Sequence, residues 1–172
     1  MINFETKEVL FIDLDGTLIK TISGKTFPED ITDFRIQLQL LNKIVEKLPN
    51  LEYFYIVTNQ GGIEKGYVDE DEFINKINAI LTFCSGYLRN KLNRTNIFDS
   101  YEYCPKNKLD FYRKPNVGML ELLKYSCSRC SKDSMLMIGD ASGKPGDFSD
   151  SDKQCAKLFE IDYIDVRDFL EL

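Results

Sequence analysis

Histidine is absent from this 172-residue chain. That removes Ser–His and Cys–His nucleophile pairs and any imidazole-ligated metal. Acid–base work near neutral pH therefore falls to carboxylates, lysine, tyrosine or cysteine. Cysteine is sparse and odd in number: Cys84, Cys104, Cys127, Cys130 and Cys155. Cys127 and Cys130 form one CxxC pair, short of the roughly four ligands a zinc site needs, so ordinary thiols are expected. No apolar run approaches the roughly 18 residues that span a bilayer. The start, Met1-Ile2-Asn3-Phe4-Glu5, lacks the basic and apolar regions of a signal peptide, so an intracellular location, cytoplasmic or nuclear, is expected. Cationic excess is also missing. The net charge of −6 argues against broad, non-specific duplex binding but leaves room for a small local phosphate site. No repeat, low-complexity tract or linker divides the chain. With 43% apolar and 29% charged residues, one globular domain over residues 1–172 is expected.

What is present is ordered. The apolar run Val9-Leu10-Phe11-Ile12 leads directly into Asp13-Leu14-Asp15-Gly16-Thr17. Such a run reads as a strand buried on both faces, and Gly16 and Thr17 allow a tight exit turn. Further strands are expected at Tyr53–Val57, Phe98–Tyr103, Met135–Ile138 and Phe159–Ile164. Helical spacing links Leu38, Leu41, Val45 and Leu48, and Pro49-Asn50 stops that helix. A longer helix carries Phe73, Ile77, Ile80, Cys84 and Leu88. A third, opened by Pro115, carries Met119, Leu120 and Leu123, and a fourth contains Cys155, Ala156 and Leu158. Strands alternating with helices predict an α/β fold: a Rossmann-like parallel sheet of about five strands between helices. The segment Thr21–Pro28 contains Gly-Lys-Thr, but a phosphate-binding P-loop needs glycine where Ile19 stands, so a short hairpin or turn is expected instead.

Four strand ends or loops carry chemistry. They are Asp13 and Asp15; Thr58-Asn59-Gln60 before a Gly-Gly turn; Lys114 before Pro115; and Gly139-Asp140 after Met135–Ile138. In a parallel sheet such ends share one edge. Each alone has a bland reading as turn or surface chemistry; together they match phosphoryl transfer. One carboxylate attacks phosphorus, and a second serves the leaving oxygen and then water. Mg²⁺ prefers hard oxygen ligands. Thr58, the Lys114 ammonium and backbone N–H groups after Asp13 complete an oxyanion cage.

These motifs resemble those of the haloacid dehalogenase superfamily of phosphatases over nearly the whole chain. The resemblance implies a Mg²⁺-dependent enzyme working through an aspartyl-phosphate intermediate. By it, Asp13 is the nucleophile and a metal ligand, and Asp15 is the general acid and base with its backbone carbonyl on the metal. Thr58 and Lys114 hold the phosphoryl group, and Asp140 ligates Mg²⁺. The intervals between these motifs are largely used by core elements. Little remains for a cap beyond the Thr21–Pro28 loop, and an open site suits a large substrate.

Finer agreements resemble the 3′-phosphatase domains of polynucleotide kinase 3′-phosphatases. They are Ser23-Gly24-Lys25-Thr26-Phe27-Pro28, Thr58-Asn59-Gln60 with Gly62-Ile63 and Gly66, Arg113-Lys114-Pro115 with Gly118-Met119, and Gly139-Asp140-Ala141 with Gly143-Lys144, Ser151-Asp152 and Cys155-Ala156. They imply removal of 3′-phosphate from DNA ends in repair, without a 5′-kinase domain. They also imply substrate contacts at Gly24, Lys25, Phe27, Asn59, Gln60, Lys65 and Arg113, and a place for Asp152 at the metal. The acidic run Gly146–Asp152 opposes an extended nucleic-acid contact, or restricts it to a short single strand. The alternatives are a sugar or nucleoside monophosphate phosphatase of the same superfamily, and a non-catalytic module that recognises DNA ends.

Overall fold

The computed structural model describes residues 2–25 and 28–172. Val9–Ile12 forms β1, with every residue buried. The chain continues through β2 (Ile19–Lys20), β3 (Arg35–Ile36), α1 (Leu38–Lys47), β4 (Tyr53–Asn59), α2 (Gly61–Glu64), α3 (Glu70–Leu92) and β5 (Phe98–Cys104). It ends with α4 (Gly118–Lys124), β6 (Met135–Gly139), α5 (Ser151–Phe159), β7 (Asp162–Asp165) and α6 (Val166–Glu171). The main sheet has the order β5-β4-β1-β6-β7 and is parallel throughout. The expected fold class is therefore the observed one.

Side-chain alternation along a strand divides the core into two layers. Leu10 and Ile12 of β1, Phe54 and Ile56 of β4, and Leu136 and Ile138 of β6 point to one face. There they meet Leu40, Leu41 and Ile44 of α1, Phe73, Ile77, Ile80, Cys84 and Leu88 of α3, and Phe169 of α6. Val9, Phe11, Tyr55, Val57, Met135 and Met137 point to the other face, against Met119, Leu120 and Leu123 of α4 and Cys155, Ala156 and Phe159 of α5. Burying each large aliphatic or aromatic side chain contributes about 1.5–3 kcal/mol. Asp69 caps α3 by accepting from Glu72 N at 3.0 Å. Acidic residues fill the first turn of α3 and Arg89 and Lys91 the last, as the helix dipole favours.

Three expectations are corrected. Phe159 is the last residue of α5 rather than the start of a strand. It follows Cys155 by one helical turn on the core face, and Glu160 ends the helix in the left-handed region at φ 61°. The strand then begins at Asp162. The third helix opens at Gly118, and Pro115 lies in the preceding turn. In α1 the buried stripe is Leu40, Leu41 and Ile44, while Leu38 is exposed; the Leu-rich stretch fits more than one helical phase. The short α2 and the C-terminal α6 were not anticipated. All five cysteines are free and buried. Among the described residues no helix is long and apolar enough to cross a membrane.

The β6–α5 loop is tied to α6 by charge. Arg167 Nη1 pairs with Asp147 Oδ1 at 2.8 Å, and Arg167 Nε donates to Asp165 Oδ1 at 2.8 Å. Burial raises the Asp165 pKa, but Arg167 and the Ser142 hydroxyl outweigh it and hold the group at about 2. A folded-state pKa below the ordinary value of 3.8 contributes stability above that value, lost as pH falls toward 2. Arg167→Gln is therefore expected to lower the Tm at pH 5–7, by a margin that narrows as pH falls toward 2. Thermal melts across that range check this; a pH-independent difference would contradict it.

Candidate active site

Parallel strands bring their C-terminal ends to one edge, and the order of this sheet reverses direction at β1, where an open α/β sheet forms a crevice. Asp13 follows β1 directly, and its N–H donates to Ile138 O of β6 at 3.0 Å. Thr58 lies in β4, Lys114 follows β5 and Asp140 follows β6. Four sequence segments, each far from the next in the chain, thus converge.

Lys114 is the hub. Its Nζ donates to Asp13 Oδ1 at 2.6 Å and to Val57 O at 2.8 Å, and it pairs with Asp152 Oδ1 at 2.8 Å. Lys114, Asp13 and Asp152 are all buried. Burial alone would lower the Lys114 pKa; Asp13 and Asp152 reverse that and hold it above the ordinary lysine value. Burial pushes the Asp13 pKa well up, with Lys114 opposing and Asp152 and Asp140 adding repulsion. Burial, then Asp152, raises Asp140 to about 6, again against the pull of Lys114. Asparagine 59 fixes the lysine backbone: its Nδ2 donates to Lys114 O and its Oδ1 accepts from Lys114 N, each at 2.9 Å.

Asp13, Asp140 and Asp152 each offer an oxygen, all within 4.8 Å of one another. Asp152 lies in the first turn of α5 and its Oδ2 also accepts from Ala141 N at 3.1 Å. Two glycines make room for this cluster. A Cβ on Gly16, which sits at φ +81°, would lie 2.1 Å from Asp140 Oδ2, and one on Gly139 would lie 2.2 Å from Asp152 Oδ2. An all-oxygen donor set of this kind suits a hard divalent cation.

Asp15 is exposed at the mouth, where Gln60 Nε2 donates to its Oδ2 at 2.6 Å and to Thr58 Oγ1 at 2.9 Å. One amide therefore sets the spacing of two predicted site residues. Among the expected substrate contacts, Arg113 is half-buried with Nη1 donating to Lys106 O at 2.7 Å. Lys65 is exposed, with Nζ 6.0 Å from the Tyr67 ring centroid. Gly24, at φ +77°, and Lys25 are exposed in the loop between β2 and β3, where Lys25 pairs with Glu29. Phe27 lies outside the described residues.

Two residues at the mouth were missed by the sequence reading. Asp33 ties the β2–β3 loop together, accepting from Ser23 N at 2.8 Å, Ser23 Oγ at 2.6 Å and Glu29 N at 2.9 Å. The Ser23 hydroxyl, then the two backbone donors, hold its pKa at about 2. Lys76 of α3 sits with Nζ 4.8 Å from the Phe34 ring centroid. Burial lowers its pKa, and the nearby Asp15 and Asp33 oppose the fall. Neither residue stands next to a motif, so spacing offered no cue. The acidic run Gly146–Asp152 is largely compensated within the fold. Asp147 is neutralised by Arg167, and Asp152 faces inward. β2 pairs antiparallel with β3, and the Thr21–Pro28 segment, where a short hairpin or turn was expected, lies in the loop that joins them, with residues 26 and 27 outside the described residues.

The family described as polynucleotide kinase 3 phosphatase matches residues 8–169. An uncharacterized 20.8 kDa protein of Autographa californica nuclear polyhedrosis virus is 28% identical over 96% of this chain and 86% of its own length. The bifunctional polynucleotide phosphatase/kinase of Schizosaccharomyces pombe is 30% identical over 92% of this chain, which spans 36% of that protein. Among solved structures, the D,D-heptose 1,7-bisphosphate phosphatase from B. bronchiseptica, complexed with magnesium and phosphate, superposes with a TM-score of 0.59. It is 18% identical and covers 91% of this chain and 78% of its own, a likeness of fold.

Proposed function

The chain belongs to the polynucleotide kinase 3 phosphatase family, and from that premise we propose that it hydrolyses the 3′-phosphate of DNA ends in a reaction dependent on Mg²⁺. It is a phosphatase of the haloacid dehalogenase superfamily, a phosphoric monoester hydrolase. The observation that carries the finer reading is the family match over residues 8–169, joined to a site whose mouth holds only a two-stranded hairpin between β1 and α1 among the described residues. A site without a folded cap admits a polymer end.

In this reading an Asp13 carboxylate oxygen attacks phosphorus, and the bond from phosphorus to the 3′ oxygen breaks. Asp15 gives its proton to that leaving oxygen. Asp15 then takes a proton from water, which attacks the aspartyl phosphate. The phosphorus–oxygen bond to Asp13 breaks, and inorganic phosphate leaves. Gln60 holds Asp15 and Thr58 in relation to each other, and Lys114 and Thr58 steady the phosphoryl oxygens. By their donor chemistry Asp13, Asp140 and Asp152 would hold a divalent cation, and the family resemblance adds the Asp15 carbonyl as a ligand it would take. Such an ion, when bound, neutralises phosphoryl charge.

The net charge of −6 favours a second reading, a phosphatase of sugar or nucleoside monophosphates. A panel of 3′-phosphorylated single-stranded, nicked and recessed oligonucleotides, run beside sugar phosphates with Mg²⁺ or with EDTA, separates the two. The proposal expects phosphate release from the oligonucleotides, lost with EDTA. Good turnover of a sugar phosphate with none from any oligonucleotide would leave the second reading standing.

A further inference from the structure

The rim that runs outward from Lys114 combines fixed backbone with exposed aromatic and cationic side chains. The chain after β4 and the chain after β5 are locked together there. Asn107 N donates to Glu64 Oε2 at 2.7 Å. Glu64 N donates to Pro105 O at 3.3 Å, and within the second segment Arg113 Nη1 donates to Lys106 O. The two segments approach so closely at Gly61 that a Cβ there would lie 3.1 Å from Asn107 Cα. Asn59, in turn, clamps the backbone of Lys114. The rim is thus one rigid continuation of the catalytic edge.

Its side chains do not fit a solvated loop. Tyr67 is 81% exposed, Phe111 55% and Tyr112 44%. Phe111 is held from beneath: its carbonyl accepts from Gly118 N at 3.1 Å, and its ring lies so close to Gly118 that a Cβ there would be 2.7 Å away. Ordering an aromatic ring and then leaving half of it in water forgoes apolar burial. Cations accompany the rings: Lys65 beside Tyr67, the exposed Lys108, and Arg113 next to Tyr112. The nearby acidic groups have local partners: Glu64 is engaged by Lys106 at 3.6 Å, Asp110 accepts from Tyr112 N at 2.9 Å, Asp69 accepts from Glu72 N at 3.0 Å and Glu70 accepts from Tyr103 Oη at 2.8 Å, while Asp71 and Glu72 face the dipole of α3. Rings interleaved with cations make a stacking platform for single-stranded nucleic acid, whose bases stack and whose phosphates seek positive charge.

We infer that this rim is a single-strand track that holds the nucleotides preceding the 3′-terminal one. Tyr67, Phe111 and Tyr112 stack with bases, and Lys65, Lys108 and Arg113 meet the backbone phosphates. The inference rests on the 3′-phosphatase reading and adds to it where the rest of the strand lies. It also fits a net acidic protein, because a short strand needs only a few local cations.

The test compares kcat/KM for a 3′-phosphorylated thymidine mononucleotide with that for a single-stranded 3′-phosphorylated oligothymidylate of about eight nucleotides. The full chain is used, with Tyr67→Ala, Phe111→Ala and Lys108→Ala. The wild type is expected to favour the longer substrate by about tenfold or more, an advantage that weakens as salt rises. Tyr67→Ala and Phe111→Ala should each cut the ratio by about fivefold or more. Lys108→Ala should flatten the salt dependence by about 0.7 in log–log slope. Tyr67 and Lys108 are exposed, so they test the track even if Phe111→Ala lowers the Tm. Equal kcat/KM for both lengths, or variants that keep the wild-type ratio, would overturn the track while leaving the 3′-phosphatase reading intact. Turnover of sugar phosphates with none of either 3′-phosphorylated substrate would overturn both.

Discussion

Asp13→Asn is expected to abolish phosphate release, by on the order of 10⁴-fold or more in kcat, while the protein stays folded. The geometry separates these two effects. An asparagine Oδ1 still accepts from Lys114 Nζ, which stands 2.6 Å from the native oxygen, so the packing of the site is kept. What disappears is the negative charge and with it the proposed nucleophile. Burial already pushes the Asp13 pKa well up, the sign of a charge held at a cost, with Lys114 as the opposing influence. A neutral residue removes that cost, so the Tm is expected to stay level or rise. The check is a phosphate-release assay on the oligonucleotide panel paired with a thermal melt. Retention of more than about 1% of wild-type kcat would place the nucleophile elsewhere. An equally inert wild type would favour the non-catalytic binding reading.

Lys114→Met carries the second large effect, and here stability and activity fall together. The ammonium sits among Asp13, Asp152 and the Val57 carbonyl, all within 2.8 Å, and is itself buried. Methionine fills similar length without charge. It leaves Asp13, Asp140 and Asp152, whose oxygens lie within 4.8 Å of one another, without their shared cation. Removing one partner of a buried ion pair costs about 3–5 kcal/mol because the remaining charge is stranded. For a chain of this size that is a fall in Tm of roughly 6–20 °C. Added Mg²⁺ should recover part of the loss, since a cation that binds only the folded state raises its stability. That recovery should exceed any Mg²⁺ effect on the wild type. A variant with the wild-type Tm and kcat would contradict the role given to Lys114.

Much of this architecture was legible because its signals are local. The buried run Val9–Ile12 reads as a central strand, and Asp13 follows it with no intervening residue. Thr58, Lys114 and Asp140 likewise stand at the ends of strands or just ahead of helices, so a one-dimensional pattern was enough to expect them at one edge. The errors have local causes too. Phe159 opens an alternating stretch, Phe159–Ile164, that imitates a strand, yet it ends α5 and packs against Phe11 with ring centroids 6.2 Å apart. Leu38 shares helical phase with Leu41 and Val45, yet the face that meets the sheet is set by Leu40 and Ile44. Asp33 and Lys76 carry no motif. Their importance comes from neighbours in other segments: Ser23 and Glu29 for one, Phe34 for the other.

The amino-acid sequence by itself determined the strand–helix alternation, the family and the set of chemical groups, because hydrophobic periodicity and residue identity are properties of short windows. It also excluded imidazole from any proton transfer, since the chain has no histidine. Tertiary structure decided the rest. It made Lys114 the shared partner of Asp13 and Asp152, turned Asp147 and Asp152 away from solvent, and gave Gln60 its hold on both Asp15 and Thr58. It also bound the segments after β4 and β5 into one aromatic and cationic rim. These are contacts between residues far apart in the chain, and their strength depends on distance and burial, which no spacing along the sequence records.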